Sequence, residues 1–325
     1  MPMEAAKSWT APGVRGGLFI RMSTPPKFPE WHSDISIFTP DSNAAQETYP
    51  LGGSAAIMSE FKGKVNARGI DDFKVVVTNT PYNGALEIPR DFFRRDQTAV
   101  IERKVNEFSR QGPRHWRKVV TQKILDGETN NAYDDQTYFS TTHSSGLSGT
   151  QDNDLSIDIS DLPVPTAAHG STTSPSADEA GEIVMLMIEK MLSYKDDVGE
   201  PMNEDLLNFM VMVPTNFWKA FTSAVSDKNL SSGRTNTLVG VQENEGISIK
   251  VVSNTRLTWT TKLVLFASGP ESMALIKQQE GDMEIGEELL DSAHYKNTKN
   301  FRWQADASRG TGYGLWQHAV LATLT

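Results

Sequence analysis

The sequence predicts an α+β or mixed α/β chain with a long helix outside its compact part. Three observations predict it. Helix-period apolar spacing runs through a strongly basic segment after Pro89. From about residue 205 the pattern alternates between apolar strand-like runs and helix-like runs. The chain has 325 residues, 38% hydrophobic and 9% aromatic, enough for a core of one large domain or two and too much for wholesale disorder.

Residues 1 to about 48 are rich in Pro, Gly and Ser, with Phe19, Phe28 and Trp31 spaced between them. They read as an extended arm whose aromatics anchor on something else. Residues 54–88 read as a two-stranded excursion, out along Ile57 to Phe61 and back along Phe73 to Val77, with Gly69 to Asp72 between. In the helix that follows, Ile101, Val105 and Phe108 share a stripe with Val100, and Trp116, Val119, Val120 and Ile124 resume it. Pro113 lacks an N–H and disfavours helix at Gly112, so a kink is expected there. Only a narrow stripe is apolar, which suggests a helix completed by neighbouring copies.

Leu155, Ile157 and Ile159 alternate with polar residues, a short strand. Ser176 to Glu179 forms a capping-box pattern that opens a helix to about Tyr194. Phe209 to Val213 is a buried strand ended by Pro214, and Thr215 is placed to cap the helix carrying Phe217, Trp218, Phe221 and Val225. Strands follow at Gly246 to Val252 and Lys262 to Phe266, then an acidic stretch from Met283 to Leu290. Two final strands, Phe301 to Ala307 and Tyr313 to Leu324, are expected to join through a turn at Arg309-Gly310-Thr311-Gly312.

The formal net charge is -10, against a general nucleic-acid binder, yet Arg90 to Lys123 alone carries ten Lys or Arg and four Asp or Glu. With no cysteine, the chain has no disulfide framework, thiolate metal site or Cys nucleophile. No run of about 18 apolar residues marks a membrane span. Pro12-Gly13 and Gly16-Gly17 interrupt the start, so no signal peptide is expected.

Several residues invite chemistry. Asp152, Asp154, Asp158 and Asp161 suggest calcium, but an EF-hand from Asp152 needs Gly and Glu where Ile157 and Pro163 stand. Asp134, Asp135 and His143 suggest a metal-dependent hydrolase, without a second nearby His or any Cys. Loop carboxylates of this kind are more often turn chemistry. Gly310 to Gly314 lacks the Lys-Ser/Thr of a phosphate loop, and no nucleophile elbow is present. The basic helix at 90–123 presents Arg94, Arg95, Arg103, Arg110, Arg114 and Arg117, either to DNA or to acidic surfaces of neighbouring copies such as Glu284, Glu287, Glu288 and Asp291. The neighbour is the favoured partner, because the chain carries its own acidic complement.

The order of several segments resembles the Mu-like major head subunit family of tailed phages. Glu47-Thr48-Tyr49-Pro50-Leu51-Gly52 precedes the excursion, and a strand ending Ile88-Pro89-Arg90 precedes a helix interrupted before a proline. Tyr133-Asp134-Asp135-Gln136-Thr137-Tyr138-Phe139 with His143 resembles the family's Tyr-Asp-Gly-Gln-x-Phe-Phe-x-x-x-His, with Asp135 where the family has Gly. Gly312-Tyr313-Gly314-Leu315-Trp316-Gln317 resembles its Gly-aromatic-Gly-Leu-Trp-Gln strand. The resemblance covers about residues 45–325.

What it implies is a Hong Kong 97-type capsid fold and no enzymatic activity or cofactor. Residues 1–50 become an N-terminal arm, 54–88 an E-loop, 89–176 a peripheral domain with a spine helix, 177–290 an axial domain and 291–325 return strands to the peripheral domain. The implied function is a major capsid protein that assembles as hexamers and pentamers around double-stranded DNA in the host cytoplasm. Scaffold, portal and cement proteins are the further partners implied, with no membrane. Lys62 and Lys64 in the E-loop join the charged residues above as subunit-interface candidates, and covalent cross-linking through them is not expected.

Overall fold

The computed structural model describes residues 14, 30–39, 42, 44–52, 72–95, 98–230, 232–233, 235–270 and 272–325. The elements in chain order are α1 (Trp31–Asp34), β1 (Ser36–Thr39), β2 (Gln46–Gly52), β3 (Asp72–Thr78), β4 (Thr80–Pro89), α2 (Arg90–Arg94), α3 (Thr98–Ser109), α4 (Gln111–Leu125) and β5 (Asp154–Ile157). Then come α5 (Ala177–Leu192), β6 (Asn208–Val213), α6 (Trp218–Ser226), α7 (Thr237–Glu245), β7 (Ser248–Ser253), β8 (Lys262–Ala267), β9 (Leu275–Glu288), α8 (Ala293–Thr298), β10 (Asn300–Tyr313) and β11 (Ala319–Leu324). One sheet has the order β1-β9-β10-β4, another β5-β11-β8-β6-β7, and β2 pairs with β3 as a separate ribbon. No described helix is long and apolar enough to cross a membrane.

The basic helix divides where proline chemistry dictates, two residues before the expected kink at Gly112-Pro113. An unbroken helix would aim Pro113, which has no N–H, at the Ser109 carbonyl, and its ring would collide with it. The structure therefore ends α3 at Ser109 and starts α4 at Gln111, leaving Pro113 in a first turn where no donor is needed. The halves serve different cores. Ile101 and Val105 of α3 pack with Val14, Ile88, Tyr295, Phe301 and Trp303. Trp116, Val120 and Ile124 of α4 join the large core of α5, β6, β8 and β11. Each fully buried aliphatic side chain contributes about 1.5–3 kcal/mol. The narrow stripe is thus completed within the chain rather than only by neighbours. Val14, fully buried, shows that the N-terminal region does contribute an anchor.

The capping box forms as expected, with Ser176 and Glu179 exchanging hydrogen bonds at the start of α5. Residues 154–157 form β5, and Asp158 then caps a short 3-10 turn. Phe73 to Val77 pairs with Gln46–Gly52, and the expected outgoing arm Ile57 to Phe61, with Gly69 to Asp71, lies outside the described residues. Two expectations change. Thr215 does not cap a helix: the Phe217 N–H bonds the Pro214 carbonyl in a turn, and α6 begins only at Trp218. Gly310-Thr311-Gly312 makes no hairpin but lies inside β10, because all three residues stay in register with β9. The chain turns instead at Gly314 to His318, and β11 pairs with β8 and β5.

Gly310 and Gly312 are small because β3 crosses them. A Cβ at Gly310 would meet Val77 Cγ1 and the Thr78 carbonyl oxygen at 2.9 Å, and one at Gly312 would overlap Val77. Gly314 is tighter still, since its Cβ would overlap the Met273 carbonyl oxygen, a backbone atom that cannot swing aside. Gly314→Ala is expected to destabilise the fold by about 1–3 kcal/mol, the usual range for overpacking. Urea denaturation of the variant, beside Gly149→Ala at an open site as a pure backbone-strain control, measures it.

Candidate assembly surfaces

The aromatic-acidic tail forms a closed structural knot. His143 is fully buried and stacks on Trp316 at 4.1 Å between ring centroids. Its Nδ1 lies 2.6 Å from Asp134 Oδ2 and its Nε2 lies 3.2 Å from Asn153 Oδ1. Asn153 in turn accepts from the Ser140 N–H and donates to the carbonyls of Tyr138, Trp316 and Ala319, tying the tail to the C-terminal strands. Tyr138 stacks on Tyr313 and donates to the Ala274 carbonyl. Both ring nitrogens of His143 are thus engaged by protein groups. Asp135 is exposed, with φ 61°, and takes no part in the knot. That left-handed backbone is the physical reason for glycine at this place in the resembling family. No group of three or more His, Asp and Glu among the described residues is placed to hold a metal.

A second cluster, unmarked in the sequence reading, pins the N-terminal segment. Lys277 of β9 is almost fully buried, and its Nζ lies 3.0 Å from both His32 Nδ1 and Ser33 Oγ of α1. It sits 5.5 Å from the Trp116 ring centroid, with Arg309 4.7 Å from the same ring. Arg309 Nη1 donates to the Gly112 carbonyl at 3.1 Å and its Nε bonds Gln279, so one guanidinium ties the helix break to the sheet. His115 Nδ1 lies 3.2 Å from the same Nη1. Burial lowers Lys277 to about 8 and Arg309 to about 10. The only sequence sign of this cluster was His32 beside the anchor Trp31.

The β2–β3 ribbon rests on β10 through Val77, whose carbonyl accepts from Gln278 Nε2 while Tyr49 donates to Gln278 Oε1. Its other side turns outward, leaving Val76 57% exposed.

The charged candidates separate by position. Arg103, Arg110 and Arg114 are exposed along α3 and α4, and Arg117 is half-buried. Arg94 ends α2 and Arg95 caps it, where Arg95 pairs with Asp91 at 3.5 Å. Glu284, Glu287 and Asp291 are exposed on and just beyond β9, and Glu288 pairs with Arg302 at 3.6 Å. Lys62 and Lys64 lie outside the described residues.

Protonation opposes the buried basic cluster. Burial, then the charges of Lys277, Arg117 and Arg309, lower His32 to about 3. Burial and then Arg309 and Lys118 lower His115 to about 4. Both rings are neutral in the fold, whereas unfolded histidine takes its proton near pH 6.5. The unfolded chain therefore binds more protons between about pH 6.5 and these lowered values, and stability falls across that window as pH falls. Melting temperature should drop from pH 7 toward pH 4, and His32→Asn, which keeps an acceptor for Lys277 but cannot titrate, should lessen the drop.

Residues 26–161 match a family model described as Mu-like prophage major head subunit gpT. No curated protein matches the chain. Among solved structures, the capsid of the cyanophage P-SCSP1u is 11% identical, with 93% of this chain and 90% of that chain covered and a TM-score of 0.53. The virus-like particle from Pyrococcus furiosus is 11% identical, with coverages of 95% and 97% and a TM-score of 0.52. The bacteriophage JBD30 capsid is 11% identical with a TM-score of 0.52, covering 92% of this chain, which spans 65% of that longer one. At such identity these likenesses establish the fold. That fold is the one of phage capsid proteins, and over residues 26–161 the chain is similar to the Mu-like prophage major head subunits.

Proposed function

We propose that the chain is the repeating subunit of an icosahedral phage or phage-like head, assembling as hexamers and pentamers around double-stranded DNA in the host cytoplasm. The observation that carries this reading is the combination of a capsid fold with a β2–β3 ribbon that is no part of either sheet, packs on β10 through Val77 and turns Val76 to solvent. A ribbon of two strands is marginal alone and gains stability when its outward side is covered.

In this reading α3 and α4 are the spine, the β1-β9-β10-β4 sheet is the peripheral layer and the β5-β11-β8-β6-β7 sheet forms the axial body. β3 falls within the E-loop expected over residues 54–88. Arg94 and Arg95 share one end of the peripheral sheet with Glu287, Glu288 and Asp291, so this end offers both signs of charge to adjacent subunits. Scaffold, portal and cement proteins are the further partners. The hydrolase alternative loses its basis, since His143 is sealed between Asp134, Asn153 and Trp316.

Expression followed by electron microscopy and sizing tests the proposal. Shells or ring-shaped capsomers are the expected outcome. A chain that stays monomeric under every assembly condition refutes it.

A further inference from the structure

A cleft of about 100 Å³ lies between the sheet and the break that separates α3 from α4. Its walls are apolar, with Tyr82 of β4, Phe108 of α3, Met283 of β9, and Ala305 and Ala307 of β10. β9 is bulged at this level. It places Gly281, Asp282 and Met283 opposite Ala307 alone, and Gly281 takes φ 66°. A bulge of this kind re-aims a side chain, and Met283 lines the cleft. Arg309, His115 and Gln111 supply the polar part of the lining, and no carboxylate among the described residues joins them. Arg309 is only 5% exposed. Its Nε bonds Gln279, and its Nη1 serves the Gly112 carbonyl and His115 Nδ1, while no described residue accepts from Nη2. A guanidinium only donates, so His115 Nδ1 is the acceptor and the ring proton sits on Nε2. His115 is thus a second donor in the lining of the same cleft.

We propose that this cleft captures the C-terminal residue of a partner polypeptide, its apolar side chain entering between Tyr82, Phe108 and Met283 and its carboxylate meeting Arg309. The inference stands independently of the capsid reading. Three features select that occupant. The first is charge. A guanidinium withdrawn from water with no carboxylate beside it gains from an anion, and charge-assisted hydrogen bonds are the strong ones. The second is size. An apolar cavity of roughly 150 Å³ holds one benzene molecule. Pockets for drug-sized ligands run to roughly 300–1,000 Å³, so this cleft takes one side chain rather than a larger small molecule. The third is the combination of apolar walls with a basic end. An internal Asp or Glu brings its carboxylate on one or two methylenes and leaves the walls unfilled. A phosphate satisfies Arg309 and nothing else in the lining. A chain terminus carries an apolar side chain and a carboxylate on the same residue, and capture of a C-terminal carboxylate is an established mode of peptide recognition.

Met283 supplies the readout. The methionine methyl groups of the full chain are labelled with carbon-13, and Met283→Leu identifies the Met283 signal among the 12. The ligand titrated is N-acetyl-Gly-Gly-Phe with a free carboxylate. The expected result is a saturable shift of the Met283 methyl signal. The C-terminal amide of the same peptide should bind at least about tenfold more weakly, through loss of hydrogen bonding to a charged group. N-acetyl-Gly-Gly-Glu as its C-terminal amide, a carboxylate without an apolar terminal residue, should bind as weakly. Ala305→Leu fills the cleft and should abolish the shift with little change in melting temperature. Ala307→Leu takes its place if Ala305→Leu does not fold. A Met283 signal that the free acid leaves unmoved overturns the site. Equal binding of acid and amide overturns the part given to Arg309, and equal binding of the Glu peptide overturns the choice of a chain terminus. A shift that persists in the filled variant overturns the cleft as the place of binding.

Discussion

The pleat of β10 sets the positions of most other parts of the peripheral layer. Its odd-numbered residues Phe301, Trp303 and Arg309 face the helices, and Tyr313 carries the same side onward to donate to the Lys123 carbonyl. Its even-numbered residues face the other way. There Arg302, Asp306 and Ser308 meet water and carboxylates, while Gly310 and Gly312 admit the β2–β3 ribbon. A shift of register by one residue would exchange these sets, burying charge and exposing tryptophan. The pairing with β4 on one side and β9 on the other holds the register.

That strand also explains why a basic helix can pack on its own chain. The spine buries only a few side chains, but they are shared between two cores, and the break at Arg110 lets each half meet its own. Arg309 then satisfies a carbonyl in the first turn of the second half and covers Trp116. Cations held this deeply, with no carboxylate among the described residues in direct contact, lose hydration, which their lowered proton affinities register. Neutral histidines, a serine and an aromatic face provide the compensating contacts.

Local chemistry was legible in many places. The capping box at Ser176 and Glu179, the alternation at Leu155 to Ile159 and the proline break in the spine all follow from residues within a few positions of each other. Asn236 capping α7 and Gly246 ending it at φ 72° carry equally local signals. Of the assembly surfaces, the basic helix and the acidic residues near 284–291 were visible as charge. Their placement on opposite sides of one layer was not, since Glu87 and Asp306 join Glu284 and Glu288 only through strand pairing.

The sequence by itself determined the class of fold, the basic spine with its interruption, the strand alternation and the family resemblance, because propensity, capping and periodicity act over a few residues. Only the tertiary structure decided that β3 pairs with Gln46–Gly52, that Gly310-Thr311-Gly312 lies within a strand, and that Lys277 and His32 meet. Each of these joins residues far apart in the chain, and which ones meet is settled by the packing of whole elements rather than by any local preference. Glycine shows the difference most plainly. Its missing side chain suits a turn and a close crossing equally well, and only the position of Val77 above Gly310 and Gly312 distinguishes the two.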